Sequence, residues 1–235
     1  MVVMPVYNEQ ASVRKVVLEF FQEIENWTES FVFLALDDGS NDDTPGVLAR
    51  LRDQLGERFE VVRHSNQGHG QTCLAGYRLA AERRIPFILQ IDSDGQCDPQ
   101  YFFRFWRLRE RLDVVYGLRA KRDDGLRRLF ATMVLRAFLL FGFRAACWDA
   151  NVPYRLMRTE VIRPFLDRIP RGFNLANIGL AVLLKRQSAI RHGYVPIHFR
   201  ERYGGEPVVK LSLFGRKALE LYRDIRAMLN SAAKF

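Results

Sequence analysis

Apolar residues along this chain follow two alternating rhythms. Short runs with few polar interruptions, VVMPV (2–6), FVFLAL (31–36), FEVVR (59–63), PFILQI (86–91) and DVVYG (113–117), predict buried strands. Between them, segments at about 11–26, 45–55, 71–84 and 99–111 predict helices. In the first of these, Val13, Val16, Val17, Phe20, Phe21 and Ile24 recur at the i, i+3, i+4 spacing of one helix face. Thr44-Pro45 and Asp98-Pro99 each read as an N-cap followed by proline at the first helical position. Strands that are apolar throughout and alternate with helices predict an α/β fold, a mixed, mostly parallel sheet covered by helices on both faces.

The second half keeps a looser beat. VPYRLMR (152–158) and AIRHGYVPIHF (189–199) read as strands, with helices near 159–168 and 174–186 and a basic amphipathic helix, LFGRKALELYRDIRAML, towards the end. There is no internal repeat and no low-complexity linker. The expected organisation is one domain over 1–210 followed by a C-terminal amphipathic helix in 211–235 that faces a membrane or a partner, with a second subunit as one such partner. The most apolar stretch, 126–146, is interrupted by Arg127, Arg128, Arg136 and Arg144. Its uncharged runs fall far short of the ~20 residues a transmembrane helix needs, so it reads as a helix lying on something apolar, either the core or a membrane interface.

In parallel α/β sheets, ligands bind beyond the carboxyl ends of the strands. The unusual polar residues sit there: YNE after the first strand, DDGSNDD after the second, HSNQGHGQ after the third and DSDGQ after the fourth. In FILQIDSDGQCDP (87–99) an apolar strand runs straight into three carboxylates. Asp92 and Asp94 flank Ser93, and Gln96 follows; such hard oxygen atoms suit Mg2+ or Mn2+, with substrate phosphates completing the shell. A bound cation would also relieve the repulsion between the carboxylates. A bare D-x-D also occurs in solvated loops that cap a helix, and Asp98 reads as such a cap.

Composition narrows the classes further. With 235 residues, 48% of them hydrophobic, the chain has a sizeable core and is not disordered. A formal net charge of +9 suits a polyanionic partner: nucleic acid, an anionic membrane face or phosphorylated substrates. Cys73, Cys97 and Cys147 form no C-x-x-C, and their odd number argues against a disulfide framework, which points to a reduced, cytosolic compartment. No signal-peptide pattern leads the chain, and the first strand starts so abruptly that a few further residues are expected upstream. No Walker or Rossmann glycine loop and no nucleic-acid motif is present. His69 has glycine neighbours that permit close backbone approach to a ligand, and reads as a solvated loop histidine rather than a catalytic one. Phe102, Phe103, Phe105 and Trp106 crowd one turn, where part of the group is expected in the core and part facing an acceptor or partner.

Taken together, MPVYNE, LDDGSNDDT, NQGHGQTCLAGYRLA and DSDGQCDP, in this order and spacing, resemble the family 2 glycosyltransferases with the GT-A fold, most closely the polyprenyl-phosphate (dolichyl-phosphate) mannose synthase branch. The resemblance implies a metal-dependent, inverting transfer of a sugar from a GDP- or UDP-sugar donor. Carried over residue by residue, it implies that Pro5, Tyr7 and Glu9 border the nucleoside, and that Leu36 and Asp38 hold the base with Asp37 beside them. Asp92, Asp94 and Gln96 would carry Mg2+ or Mn2+ and, with Ser93, meet the diphosphate. Arg119 would contact the donor phosphates, and Arg202 and Lys210 would clamp the diphosphate, although the family usually spaces that pair more tightly. Asp149 matches a family aspartate and is read as either catalytic or structural.

The acceptor can be argued from what is missing. A hydroxyl acceptor needs a general base, whereas an ionised phosphate does not. GFNLANIGLAVLLKRQ (172–187), where such a base commonly sits, holds no Asp or Glu. Arg119, Lys121, Arg122, Arg127 and Arg128 lead into the apolar helix, a pattern that resembles a phosphate-gathering loop followed by an interfacial helix. The expectation is therefore a polyprenyl phosphate acceptor and a cytoplasmic protein peripheral to the inner face of the membrane. Transfer to a glycan hydroxyl, and a basic nucleic-acid-binding module without enzymatic activity, stand as the alternatives; oligomeric state is open.

Overall fold

The computed structural model describes residues 1–122, 126–203 and 214–231. Along the chain it sets β1 (Val2–Val6), α1 (Val13–Glu25), β2 (Phe33–Asp37), α2 (Thr44–Leu55), β3 (Phe59–Arg63), α3 (His69–Glu82), β4 (Phe87–Gln90), α4 (Phe102–Leu108), β5 (Val114–Arg122), α5 (Leu126–Phe143), β6 (Arg155–Arg158), α6 (Thr159–Leu166), α7 (Ala176–Lys185), β7 (His192–Phe199) and α8 (Phe214–Ser231). The strands form one seven-stranded sheet in the order β3-β2-β1-β4-β6-β5-β7. β1 is parallel to β2 and β4, β2 to β3, and β5 to β7; β6 alone runs antiparallel to its neighbours β4 and β5. The expected mostly parallel sheet is therefore present.

β1 and β2 are buried along their whole length, as strands covered on both faces must be. The α1 stripe from Val13 to Ile24 is buried as its spacing predicts. The chain runs outward from β1 to β2 and β3, then crosses back to set β4 on the other side of β1, and a crevice opens at such a switch point. This crevice lies above the carboxyl ends of β1, β2 and β4.

Local expectations met mixed outcomes. Asp98 does cap: its Oδ1 accepts the Gln100 N–H at 3.0 Å. Thr44 is not an N-cap but the first residue of α2; its hydroxyl instead accepts the Glu9 N–H at 2.9 Å and ties the YNE loop to α2. The aromatics of α4 are packing residues: Phe102 and Phe105 are buried, Phe105 stacks on Tyr154, and Phe103 stacks on Trp27. α5 is two-faced. Leu139 and Phe143 are buried, whereas Met133, Val134, Leu140 and Phe141 are exposed, Phe141 at 83%. α8 turns Leu221, Ile225 and Met228 inward, and Tyr222 packs on Phe138 and Phe143 of α5. Among the described residues no helix is long and apolar enough to cross a membrane.

Candidate active site

Loops after four parallel strands converge on an open cavity of about 250 Å³. The β1 end supplies Pro5, Tyr7 and Glu9; the β2 end supplies Asp38; the loop leading into α3 supplies Asn66, Gly68 and His69; the β4 end supplies Asp92, Ser93 and Asp94. Arg202 closes the ring from beyond β7.

Each group is held by a partner from another loop. Asp38 organises the loop into α3, accepting the N–H of Gln67 at 2.7 Å and of Gly68 at 3.0 Å. At the start of α3, Gly70 is pressed against the chain near α7, where a Cβ would stand 2.3 Å from the Asn174 carbonyl. Asp92 Oδ1 receives His69 Nε2 at 2.9 Å. Asp94 Oδ1 accepts the Gln96 N–H at 3.1 Å, making a tight turn through Gly95 at φ +82°. Glycine is required there twice over, because a Cβ would lie 2.3 Å from the Tyr203 ring. Tyr203 is strapped over this turn by its N–H to the Asp94 carbonyl at 3.0 Å. That strap delivers the neighbouring Arg202, whose Nη2 reaches Glu9 at 2.6 Å and whose Nε stands 3.7 Å from Asp94 Oδ2.

The corner is electrostatically unfinished. Burial, then the adjacent Asp92 charge, push Asp94 up to about 6. Burial also opposes charge on Asp92, but His69 first, then Arg155 and Arg202, outweigh it and hold Asp92 below the usual carboxylate range. Burial raises Glu9, against the pull of Ser12 and Arg202. Arg202 Nε is a buried donor with no hydrogen-bond acceptor. Among the described residues no three His, Cys, Asp or Glu side chains converge into a protein-only metal cage. Two adjacent carboxylates with an orphaned cationic donor opposite fit a hard divalent ion whose remaining ligands come from a phosphorylated molecule.

Not every residue singled out from sequence reaches the cavity. Pro5, Tyr7, Glu9, Asp38, Asp92, Ser93, Asp94 and Arg202 line it. Leu36 is 2% exposed and packs beneath α3, facing Gly76. Asp37 is buried against Arg63, 3.1 Å away, and accepts the Ser40 N–H. Gln96 donates its side-chain amide to the Arg200 carbonyl at 3.1 Å, which bolts the turn to the chain after β7. Arg119 and Asp149 find each other: Nε and Nη2 meet the two carboxylate oxygens at 2.6 Å each. This pair sits on the β5–β7 side, beside a β-bulge between Arg119 and Lys121. Lys210 lies outside the described residues.

Four cavity residues, Val6, Asn66, Gly68 and His69, were not assigned from sequence. Asn66 and Gly68 fall within the NQGHGQ motif but were given no role of their own, although the glycines flanking His69 were a usable signal for close approach. His69 is not merely solvated: it opens α3 and is bound to Asp92.

The sequence profile described as Glycosyl transferase family 2 matches residues 1–165. The chain belongs to this family. Among curated family 2 relatives, the undecaprenyl-phosphate 4-deoxy-4-formamido-L-arabinose transferases of Salmonella choleraesuis and Salmonella paratyphi B are each 25% identical over 207 residues, covering 87% of this chain and 61% of theirs. The chain thus spans about three-fifths of the length of these relatives. Glucosyl-3-phosphoglycerate synthase from Mycobacterium tuberculosis, solved with Mn2+, UDP and phosphoglyceric acid, superposes with a TM-score of 0.67 at 19% identity, covering 98% of this chain and 76% of that one. The same enzyme with Mn2+ and UDP-glucose gives 0.66 at 16% identity, over 97% and 77%. The fold of this family 2 domain is GT-A, as expected from the four motifs.

Proposed function

We propose that this family 2 domain moves one sugar, with inversion, from a nucleotide-diphosphate donor to polyprenyl phosphate. The observation that carries the reading is the meeting of Asp92, Asp94 and Arg202 in one cavity whose other wall is Tyr7, Glu9 and Asp38. Asp92 and Asp94 would hold Mg2+ or Mn2+, which when bound supplies positive charge to the diphosphate as it departs. Arg202 adds a fixed cation at the same place, its unfilled Nε turned to an anion. Tyr7, 44% exposed at the cavity edge, offers a ring face to the nucleoside. Lys210 would complete the diphosphate clamp. UDP leads the list of donors to try because the structural neighbours were solved with it, and GDP-sugars follow.

Among the described residues, neither α7 nor Asp149 offers a free base to a hydroxyl acceptor, which favours an ionised phosphate. α7 is buried and carries no acid, and both oxygens of Asp149 are engaged by Arg119. The relatives' names pair undecaprenyl phosphate with a sugar, which agrees with this choice. A lipid acceptor also gives a use to the exposed stripe Met133, Val134, Leu140 and Phe141 on α5. Nearby, Arg136 lies 3.3 Å over the exposed Trp148 ring. Residues 126–148 contain four Arg and no acid, the chemistry of a helix resting on an anionic leaflet. The protein would then work as a peripheral protein at the inner face of the membrane.

The test has two stages. Thermal unfolding with UDP- and GDP-sugars should show stabilisation that requires Mn2+ or Mg2+; no metal-dependent stabilisation by any donor defeats the donor site. Product analysis should then find the sugar on polyprenyl phosphate. Transfer to a glycan hydroxyl, with polyprenyl phosphate inert, defeats the acceptor assignment and favours polysaccharide synthesis.

A further inference from the structure

We propose that His69 and Gln90 are positioning residues that clamp Oδ1 of Asp92, so that this carboxylate meets the donor's cation through Oδ2 alone. The inference rests on the donor-site reading above and adds to it a determinant of cation choice.

The clamp has two jaws on one atom. His69 Nε2 lies 2.9 Å from Asp92 Oδ1, and the Gln90 amide nitrogen lies 3.4 Å from the same oxygen. The first jaw is set by helix geometry: His69 opens α3, and Cys73, one turn further on, packs its Sγ against the ring, 3.9 Å from Nδ1 and 4.0 Å from Nε2. The second jaw is set from below. Gln90 is fully buried, and its Oε1 accepts the Tyr77 hydroxyl at 2.9 Å, which leaves the amide N–H groups aimed at Asp92. Tyr77 is also fully buried, and its one hydroxyl is shared with Oδ1 of Asn177 on α7, 3.0 Å away. The main-chain carbonyl of Asn177 accepts Arg155 Nη1 at 3.3 Å, and Arg155, wholly buried on β6, is further fixed by the main-chain carbonyls of Ala150 and Val152. This polar chain crosses the core from α7 to the acidic corner. A chain of that kind is costly to bury unless every member is satisfied, and once satisfied it holds one geometry.

The chemical consequence concerns denticity. A carboxylate with one oxygen occupied by N–H donors binds a cation through the other. Single-oxygen ligation suits the octahedral shell of Mg2+ and the similar preference of Mn2+, whereas Ca2+ readily takes both oxygens. Releasing the clamp should therefore shift cation preference towards Ca2+ as well as weaken binding. Loss of such outer partners commonly costs roughly 10–100-fold in metal affinity or activity.

The experiment is a titration of the full chain with Mn2+, with and without UDP, read by the electron paramagnetic resonance signal of free Mn2+, followed by competition with Mg2+ and Ca2+. His69→Ala should weaken Mn2+ binding by ~10-fold or more and raise the Ca2+ to Mg2+ affinity ratio, with thermal stability close to wild type. His69→Gln, which restores an N–H donor, should recover part of both. Tyr77→Phe, which deletes only the hydroxyl that orients Gln90, should move both readings the same way by a smaller factor. Unchanged Mn2+ affinity and cation ratio in His69→Ala overturns the clamp. So does an equal loss for all three cations accompanied by a lowered melting temperature, the mark of a merely structural residue. If wild type takes up no Mn2+ in either condition, the clamp and the donor site fall together; if Asp94→Ala abolishes uptake while His69→Ala is indifferent, the clamp alone falls.

Discussion

Two aspartates at the rim of the same sheet live in opposite circumstances. Asp94 sits beside another carboxylate, with only an incompletely engaged arginine nearby, and is driven up to about 6. Asp149, 2% exposed, is gripped through both oxygens by Arg119. The first arrangement carries a repulsion that a cation would offset. The second is complete and gains nothing from a ligand in its present geometry. Burial alone does not mark a functional acid; an unpaid charge in a cavity does.

The comparison can be broken most sharply at Asp94. Asp94→Ala should lower donor turnover by ~100-fold or more, the scale of losing a main electrostatic stabiliser, with no loss in melting temperature because a like-charge contact is removed. Nucleotide release assays and thermal unfolding, run together, would check this; a destabilised but active variant would place Asp94 with the structural acids. Asp149→Asn should do the reverse. Breaking this buried two-oxygen contact should cost about 3 kcal/mol in urea unfolding, while cation affinity at the other corner stays near wild type. A stable, inactive Asp149→Asn would instead make this acid part of the chemistry.

Beyond that pair lies α5, and there the contrast is between polar cavity and apolar surface. Phe141→Ser should weaken binding to vesicles containing anionic lipid by ~10-fold, following the area withdrawn from the bilayer, without changing the melting temperature. Vesicle co-sedimentation measures it, and an unaltered partition would remove the membrane role from this stripe.

The smallest effect belongs to a third ion pair, at the far end of β5. Hydrogen bonding from Arg191, ahead of an opposing burial effect, holds Asp113 below the usual carboxylate range. A folded-state pKa below the unfolded one means that the stabilisation is complete above the ordinary aspartate value and drains away as pH falls through the folded value. Wild type and Asp113→Asn should thus differ modestly at neutral pH, and the gap should close below pH ~4. A gap that persists into acid would mean the residue acts through packing rather than charge.

How much could be read beforehand follows the same physics. The elements of the first half were legible because each buries a full strand or one helix face, so its apolar period is uninterrupted. β5 was expected to end at residue 117 and runs to Arg122, since its polar second half is held by pairing with β7, which local pattern does not report. The acidic corner was legible because Asp92, Asp94 and their turn are contiguous. Arg119 and Asp149 were each noticed, but not as partners, being 30 positions apart with nothing local to join them. Arg155 was passed over as one more strand residue; that a lone arginine is wholly buried became visible only when three backbone carbonyls were seen to surround it.

By itself the amino-acid order determined the alternation of strand and helix, the mostly parallel sheet and the clustering of polar loops at one edge, because periodicity and short turns are local properties. Which of those polar groups share a cavity, which neutralise one another, and which oxygen of Asp92 remains free were decided only by the tertiary structure. Charge and hydrogen bonding act over a few ångströms of space, and segments far apart in the chain are brought within that range only once the sheet is assembled.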